Sequence, residues 1–476
     1  MLRLIKALAA TVMLAMFVLT LDLAPAAAQG VCGAAVTGTA LGSAPGFGAV
    51  ACGGQAIGDG SVAIGQSHAG GTDSTAVGGA SSADARGATA SGFFSTASGL
   101  YSTATGIVTV ASADYSTATG ANSTAAGVGS TAMGGGGQLG GVGTAASASG
   151  NYSVAIGGGG DGAAGVGAQS TGDKSIAIGL SSASAGVSST AIGSGASASA
   201  TNAVALGNTV TATGSNAFAA GNNSHGTGAS AVAIGDGATA GSGANAIAIG
   251  TGAVATGSIA IGAGSAAALG NTAVGDAAQA SAAAGSSAFG NGAVASAANA
   301  TALGSGATAG FSNSAAIGAG ATATAANQVA IGTASNTYRL AGVASAASLA
   351  AQSGPVSFVT TDAAGNLATS SFNPANITSL QSQVTSLQSQ VMDNRLEART
   401  GTAVALAAGS MPSLQPGRKF ALSAGYGNFE GANAFALGAT ALLYDGKSYA
   451  VIANAGGGIG LERNVAGGRG AVSIQW

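Results

Sequence analysis

A short apolar stretch followed by glycine recurs about every fourteen residues through the middle of this chain. Clear copies read Ser-Ile-Ala-Ile-Gly at 175–179, Ser-Thr-Ala-Ile-Gly at 189–193 and Ala-Val-Ala-Leu-Gly at 203–207. A fixed period of this kind is typical of a stacked solenoid, in which each repeat contacts only its neighbours. Such a unit suits two short strands and two turns, with glycine supplying turn conformations that side chains would obstruct. The pattern therefore predicts a parallel β-solenoid over residues 58–332.

The repeat also suggests what the coils pack against. Along Ala203-Val204-Ala205-Leu206 the side chains alternate between two faces, and both faces are apolar. Apolar residues on both faces of a strand indicate burial on both sides. We expect Val204 and Leu206 to line the inside of the coil, and the alanine face to pack against an identical neighbouring chain. So thin a coil buries few large side chains, so stacking and oligomerisation must supply much of its stability.

Charged residues are scarce. The 476 residues include 85 glycines but only 12 lysines and arginines and 15 aspartates and glutamates. Between Gly87 and Tyr338 the only cation is Lys174. A surface of this kind cannot neutralise phosphates, which excludes nucleic acid as a partner. Disorder is disfavoured by the low net charge and the regular placement of Ile, Val and Leu.

The sequence offers no chemistry-bearing cluster. His68 and His225 lie far apart without cysteines or grouped carboxylates nearby, which argues against a zinc site. The stretch 160–165 matches a nucleotide-binding glycine pattern but opens no helical pattern, so it is glycine-rich turn sequence. No nucleophile–base pair is recognisable. We therefore predict a protein that is not an enzyme, with no catalytic residues, no cofactor and no metal site.

The first residues read as an export signal. Residues 1–28 combine Arg3 and Lys6, an apolar run and a small-residue ending at Ala26-Ala27-Ala28, although an uncleaved anchor is the alternative. The segment 29–57 then serves as an N-terminal cap. Its Cys32 and Cys52 either form a disulfide that closes a small loop or stay unpaired and buried.

Aromatic residues gather where the repeats are least regular, within 87–150. Phe93, Phe94, Tyr101 and Tyr115 lie close in sequence, in a chain that is only 4% aromatic. We expect these rings to plug coil interiors or the subunit seam. The alternative is an exposed contact patch.

The chemistry changes after the last coil. This coil includes Asn327, and Arg339 is the first cation after Lys174, which sets 333–375 apart as a neck and connector. A seven-residue repeat follows within 376–411, with its seam at Ile377, Leu380, Val384, Leu387 and Val391. This repeat predicts a coiled-coil stalk, and its β-branched residues at a and leucines at d alone lean toward two strands. Asn394 falls on a d position, where a polar residue either fixes register or merely tolerates the helix end.

The last segment, 412–476, has the pattern of membrane-crossing strands. Four stretches have the length of tilted strands, separated by turns: 418–427, 432–443, 448–460 and 468–476. Four strands cannot close a barrel, and two copies would supply only about eight, whose interior is filled by side chains. Three copies give a twelve-stranded barrel with room for three thin helices. Strand number therefore overrides the two-strand preference of the heptads.

At this point the chain resembles the YadA-like trimeric autotransporter adhesins. The Ala-Ile-Gly coils are similar to the left-handed parallel β-roll (solenoid) head of that family, and 327–343 is similar to its neck. The stretch from Gly401 through Leu414-Gln-Pro-Gly417 to Gly425-Tyr-Gly427, with terminal Trp476, is similar to its membrane anchor. Head, neck, heptads and anchor follow in the family order. The fold expected is mostly β: a solenoid head, a short trimeric coiled-coil stalk and a twelve-stranded transmembrane β-barrel built from four strands per chain.

The resemblance also implies a function. It implies export through the periplasm by the general secretory translocon, barrel assembly by the outer-membrane assembly machinery with Trp476 as the C-terminal signal, and a head exposed on the cell surface. It implies attachment to host matrix, glycan or abiotic surfaces, although no ligand can be read from the chain. Self-association without a specific host ligand is the alternative. By the same analogy, Asn394 in a three-chain core either holds an anion or binds water.

Overall fold

A computed structural model describes residues 30–31, 42–136, 144–160, 165–282, 285–410 and 412–476. The chain forms two compact units that meet between Thr337 and Tyr338. The first unit contains the repeats. The second contains a hairpin, a long helix and an antiparallel sheet.

The repeats fold into a parallel β-solenoid, which confirms the predicted architecture. Each coil contributes one strand to a front sheet and a shorter strand to a back sheet, and neighbouring coils pair in parallel register. The front strands are Gly30–Val31, Val50–Cys52, Val62–Ile64, Thr75–Val77, Thr89–Ser91, Thr103–Thr105, Thr117–Thr119, Thr131–Met133, Val154–Ile156, Ile176–Ile178, Thr190–Ile192, Val204–Leu206, Phe218–Ala220, Val232–Ile234, Ile247–Ile249, Ile259–Ile261, Thr272–Val274, Ser287–Phe289, Thr301–Leu303, Ala315–Ile317 and Val329–Ile331. The back strands are Gln55–Ala56, His68–Ala69, Ser82–Ala83, Thr96–Ala97, Val110–Ala111, Thr124–Ala125, Ser147–Ala148, Gln169–Ser170, Ala183–Ser184, Ser197–Ala198, Thr211–Ala212, His225–Gly226, Thr239–Ala240, Val254–Ala255, Ala266–Ala267, Gln279–Ala280, Val294–Ala295, Thr308–Ala309 and Thr322–Ala323.

The inside of each coil is built from alanine and serine. Ala205, at the centre of its front strand, is fully buried and pairs with Ala191 and Ala219 in the neighbouring coils. The expectation that Val204 and Leu206 line the interior is therefore wrong, because both point to the outer face of the front sheet. The two sheets of a coil enclose so little space that the largest fully buried side chain in the described solenoid is a single valine, Val210.

Two rows of turns run along the solenoid, one at each end of the front strands. The first ridge consists of the turns that follow the front strands, and the second ridge consists of the turns that precede them. Both ridges place a residue in the left-handed conformation in nearly every coil, for example Thr209 (φ +51°) on the first and Asn202 (φ +57°) on the second. Because asparagine tolerates this conformation and offers an amide, the second ridge forms hydrogen-bonded ladders. The last of these joins Asn299, Asn313 and Asn327 at 3.1 Å per step.

The second unit begins with a short helix, Ala346–Ala351, and a hairpin of strands Val359–Thr361 and Leu367–Thr369. A long helix then runs without interruption over Pro374–Gly409. The Asn373 side chain accepts hydrogen bonds from the N–H groups of Ala375 and Asn376, and proline at the first position is compatible with a helix start. Within the described residues, no helix combines the length and apolar character needed to span a membrane.

Four antiparallel strands complete the chain in sequential order. These anchor strands are Phe420–Phe429, Ala432–Asp445, Ala450–Gly460 and Ala466–Gln475. One face of the sheet packs on the end of the long helix, where Ala403, Val404 and Ala407 are buried together with Ala434 and Ala436. The opposite face exposes large side chains. Phe435 is 51% exposed and Leu437 69% exposed.

Candidate interaction surfaces

The outer face of the front sheet forms a long apolar surface on the solenoid. Two residues of each front strand point outward, and over 154–331 these are mostly Val, Ile, Leu and Phe. They are substantially exposed in the single chain: Ile192 is 39% and Leu303 is 48% exposed. A contiguous exposed stripe of this length is typical of an interface between proteins.

The four aromatic residues expected to act together form two separate pairs. Phe93 and Phe94 lie on the first ridge, with ring centroids 4.3 Å apart in an edge-to-face arrangement. Tyr101 and Tyr115 lie on the second ridge, stacked at 5.8 Å. All four are at least 46% exposed, so the expectation that they plug coil interiors is wrong. The interior has no room for rings, since its positions are taken by alanine and serine.

No metal-binding group emerges from the part of the chain that the structure describes. His68 lies on the back sheet, where its Nδ1 is 3.3 Å from the Gln55 side-chain oxygen and its Nε2 is 3.6 Å from Asp84. His225 occupies the same position in a distant coil. Two exposed histidines so placed cannot share one ion.

Of the two cysteines in the predicted disulfide, only Cys52 lies among the described residues. Cys52 ends a front strand and its thiol is not free, whereas Cys32 lies outside the described residues. The bridge between the two therefore stays a prediction. At the other end of the chain, Trp476 follows the last anchor strand and is 97% exposed.

The neck and stalk residues are all solvent-accessible in the single chain. Asn327 has a left-handed backbone (φ +59°) and closes the asparagine ladder of the last coil. Arg339 is exposed within a segment without regular secondary structure. Asn394 lies exposed on the long helix, and the heptad residue Val391 is 61% exposed.

The residues through which the long helix packs on the anchor sheet were not predicted from the sequence. The sheet offers glycine wherever the helix backbone comes closest. A methyl group at Gly425 would overlap the carbonyl oxygen of Ala407, and one at Gly427 that of Ala403. A methyl group at Gly460 would overlap the Thr400 side chain. The signal was present in the sequence as glycine at alternate strand positions, opposite small residues at helical spacing.

Polar contacts fasten the same helix and sheet at one end. Arg399 on the helix forms an ion pair of 2.8 Å with Glu430 in the turn between the first two anchor strands. Asp393, also on the helix, pairs with Arg463 in the loop between the last two. Glu462 in that loop accepts hydrogen bonds from the N–H and the side-chain amide of Asn433 in the second anchor strand, at 2.7 and 2.6 Å. These bonds hold the pKa of Glu462 below its usual value.

Comparison with known proteins identifies both units. The YadA-like membrane anchor domain matches residues 412–476. The YadA head domain repeat (2 copies) matches the segments 69–95, 83–107, 97–123, 111–136, 141–159, 163–182, 184–209, 227–253, 242–265 and 282–307. Together these matches span more than half of the chain.

Among solved structures, the chain is similar to the collagen-binding domain of the Yersinia adhesin YadA. The two are 26% identical over 37% of this chain and 74% of that one, with a TM-score of 0.19. No curated protein matches the chain. With head repeats and a membrane anchor of one kind in a single polypeptide, the protein belongs to the YadA-like trimeric autotransporter adhesins, a family of outer-membrane-anchored surface adhesins and not of enzymes.

Proposed function

We propose that three copies of this chain assemble into one adhesin, with a shared twelve-stranded barrel in the outer membrane and the solenoids exposed outside. The observation that carries the proposal is the open anchor sheet. Among the described strands, the first, Phe420–Phe429, pairs with the second alone, and the last, Ala466–Gln475, pairs with the third alone. An open edge is not tolerated in a lipid bilayer, because its backbone N–H and C=O groups find no partner there. Closure by further copies satisfies both edges.

The number of copies follows from the helix that packs on the sheet. Each anchor sheet brings the end of its long helix with it, through Thr400, Ala403, Val404 and Ala407. A barrel of about eight strands is filled by its own side chains and leaves no room for helices. Twelve strands accommodate three helices, and the small residues on this part of the helix keep that bundle thin.

The solenoid supports the same stoichiometry. Its front sheet presents an apolar outer face that is half-exposed in one copy, and turning three such faces toward a common axis removes them from water. Covering the exposed part of one Val or Ile contributes about 1 kcal/mol. Over the coils from 154 to 331 this contribution is repeated many times.

Adhesion follows from repetition. The outward Ser, Thr and Asn residues make a polar, nearly uncharged surface, and three identical heads multiply weak contacts into avidity. The ligand class is a host matrix protein, a glycan or an abiotic surface. Collagen belongs in the test set because the similar Yersinia domain is a collagen-binding one. Self-association of heads on neighbouring cells is the second candidate, favoured by the low charge density of the solenoid, since residues 58–332 contain only ten charged side chains.

Delivery to the surface completes the proposal. The export signal of residues 1–28 directs the chain through the general secretory translocon, and the outer-membrane assembly machinery inserts the barrel with Trp476 as its signal. In the assembled stalk, three Asn394 side chains meet at the core and hold an anion through their amide donors. Replacing Asn394 by Val should abolish a halide signal in this core, and a core that holds only water in the unaltered protein would contradict the anion.

The experiment compares cells that display the protein with cells that display the anchor and stalk without the solenoid. Both are applied to surfaces coated with collagen, other matrix proteins or glycans, and to bare plastic. The adhesin function predicts attachment only with the solenoid present. Cells that clump with each other through the solenoid but ignore every coated surface would favour self-association instead.

A further inference from the structure

The outward face of the front sheet changes character in one block of coils. In the strands Thr89–Ser91, Thr103–Thr105 and Thr117–Thr119, every outward residue is threonine or serine. The corresponding residues of later strands are mostly large and apolar, as in Ile176–Ile178. The block therefore lacks the apolar face that the other coils present.

In the same block, large apolar residues occupy the turns instead. The first ridge carries Phe93, Phe94 and then Ile107-Val108, and the second ridge carries Leu100, Tyr101 and then Tyr115. Phe94 is 52% exposed and Tyr115 is 63% exposed. In many other coils the left-handed turn position is held by a polar residue, such as Thr209 on the first ridge and Asn216 on the second.

These turn positions are costly for the residues that hold them. Phe94, Tyr101 and Tyr115 have φ of +56°, +51° and +59°, and Val108 has +55°. A bulky side chain in the left-handed region costs about 1–3 kcal/mol, whereas the asparagine or glycine used in other coils tolerates it. Among the described left-handed residues, the aromatic ones all lie between 94 and 152. Such strain persists where a contact compensates for it. Even with the intrachain ring pairs, the four aromatic residues stay 46–63% exposed.

The symmetry of a closed three-copy ring determines which surfaces of neighbouring copies meet. The two ridges lie at opposite ends of the front strands. When the front sheets of three copies face one common axis in a closed ring, the first ridge of each copy lies against the second ridge of the next copy. Phe94 follows the front strand Thr89–Ser91, and Tyr101 precedes the next front strand, Thr103–Thr105. The two residues therefore lie at opposite ends of the front strands, within one coil of each other.

We propose that in the coils 89–119 the seam between copies is an aromatic clasp: Phe93 and Phe94 of one copy pack against Leu100 and Tyr101 of the next. The occupant of this surface is a second copy of the chain, so the proposal rests on the three-copy assembly proposed above. The threonines between the clasps then face the axis, where their hydroxyl groups bond with each other or with water. The clasp replaces an apolar core by aromatic contacts at the rim, where buried aromatic residues contribute strongly to association.

The first test is cross-linking in the full-length protein extracted in mild detergent. The double variant Phe94→Cys with Tyr101→Cys should form covalently joined three-chain species on oxidation, because each copy offers one thiol to each neighbour. Each single variant lacks the partner thiol and should not form them. The unaltered chain, which keeps Cys32 and Cys52, controls for links made by the native cysteines.

The second test separates the seam from the fold. Tyr101→Asn relieves the left-handed strain, so the coil should stay folded by circular dichroism while the assembly dissociates about tenfold faster on heating. Tyr152→Asn is the matched control. Tyr152 has the same ring, ridge and backbone (φ +56°) but stands beside the apolar front strand Val154–Ile156, so its loss should leave dissociation unchanged.

The outcomes distinguish this inference from the proposed assembly. A three-copy mass by light scattering, without cross-links and without any effect of Tyr101→Asn, overturns the clasp and leaves the assembly standing. A single-copy mass overturns both. Loss of attachment to a coated surface in Tyr101→Asn, with unchanged dissociation and no cross-links, assigns the rings to ligand contact and also overturns the clasp.

Discussion

Arg399 of the long helix and Glu430 of the first anchor turn form a 2.8 Å ion pair that spans the helix and the sheet on which it packs. The Arg399 side chain is 28% exposed and that of Glu430 is 53% exposed. With the Asp393–Arg463 pair, it ties the helix to the turn between the first two anchor strands and to the loop between the last two.

The Arg399–Glu430 pair should contribute modestly to anchor stability. Because the pair is partly solvated, a double-mutant cycle with Arg399→Ala and Glu430→Ala should give a coupling of about 0.5–1 kcal/mol at low salt. Heat dissociation of the detergent-extracted protein measures it. The reversed pair, Arg399→Glu with Glu430→Arg, should recover part of the loss. A coupling of zero at low salt would show that the pair does not hold the helix.

The glycines under the helix should tolerate no side chain. Gly427→Ala places a methyl group against the carbonyl oxygen of Ala403, so the helix must shift, and we expect a loss of about 1–3 kcal/mol and reduced surface display. Heat dissociation and antibody staining of intact cells measure the two effects.

Gly470→Ala is the control for this substitution. It lies in the last anchor strand, where the nearest atom to an added methyl group is the Asn454 carbonyl oxygen at an ordinary 3.8 Å. Equal effects of the two substitutions would contradict a helix seated on glycine.

A substitution inside the coil should lower its stability, whereas a substitution on its outer face should weaken association between copies. Ala205→Leu overfills the interior and should lower the free energy of unfolding of the coil by about 1–3 kcal/mol. Val204→Ser changes the outer face, so it should leave the circular dichroism of the coil intact while weakening association between copies. Thermal unfolding and light scattering separate the effects. A harmless Ala205→Leu would contradict the alanine-lined interior.

Acid should loosen the anchor loops through Glu462. Its pKa is lowered by the hydrogen bonds from Asn433, so its contribution is fully present above its ordinary pKa near 4.5 and is lost as the pH falls through the lower folded value. Heat dissociation should therefore become easier below about pH 4.5. Asn433→Leu should remove part of this dependence. An unchanged pH profile in that variant would assign the acid effect to other carboxylates.

The sequence predicted the repeat and the four anchor strands because period and strand length are local properties. It did not predict which face of the front strand is internal. Val204 and Ala205 belong to two apolar faces, and only the small space between the sheets selects alanine for the inside. The helix seat was missed for a related reason. Gly425 and Gly427 fall within the predicted strand 418–427, and their role is visible only when the backbone of Ala403 and Ala407 is placed against them.

The central claim is that this chain becomes a stable object only as three copies, and the mass of the protein extracted in mild detergent tests it most directly. Light scattering corrected for bound detergent should give three times the mass of the mature chain, in a species that dissociates only on strong heating. A folded single copy under the same conditions would contradict the account.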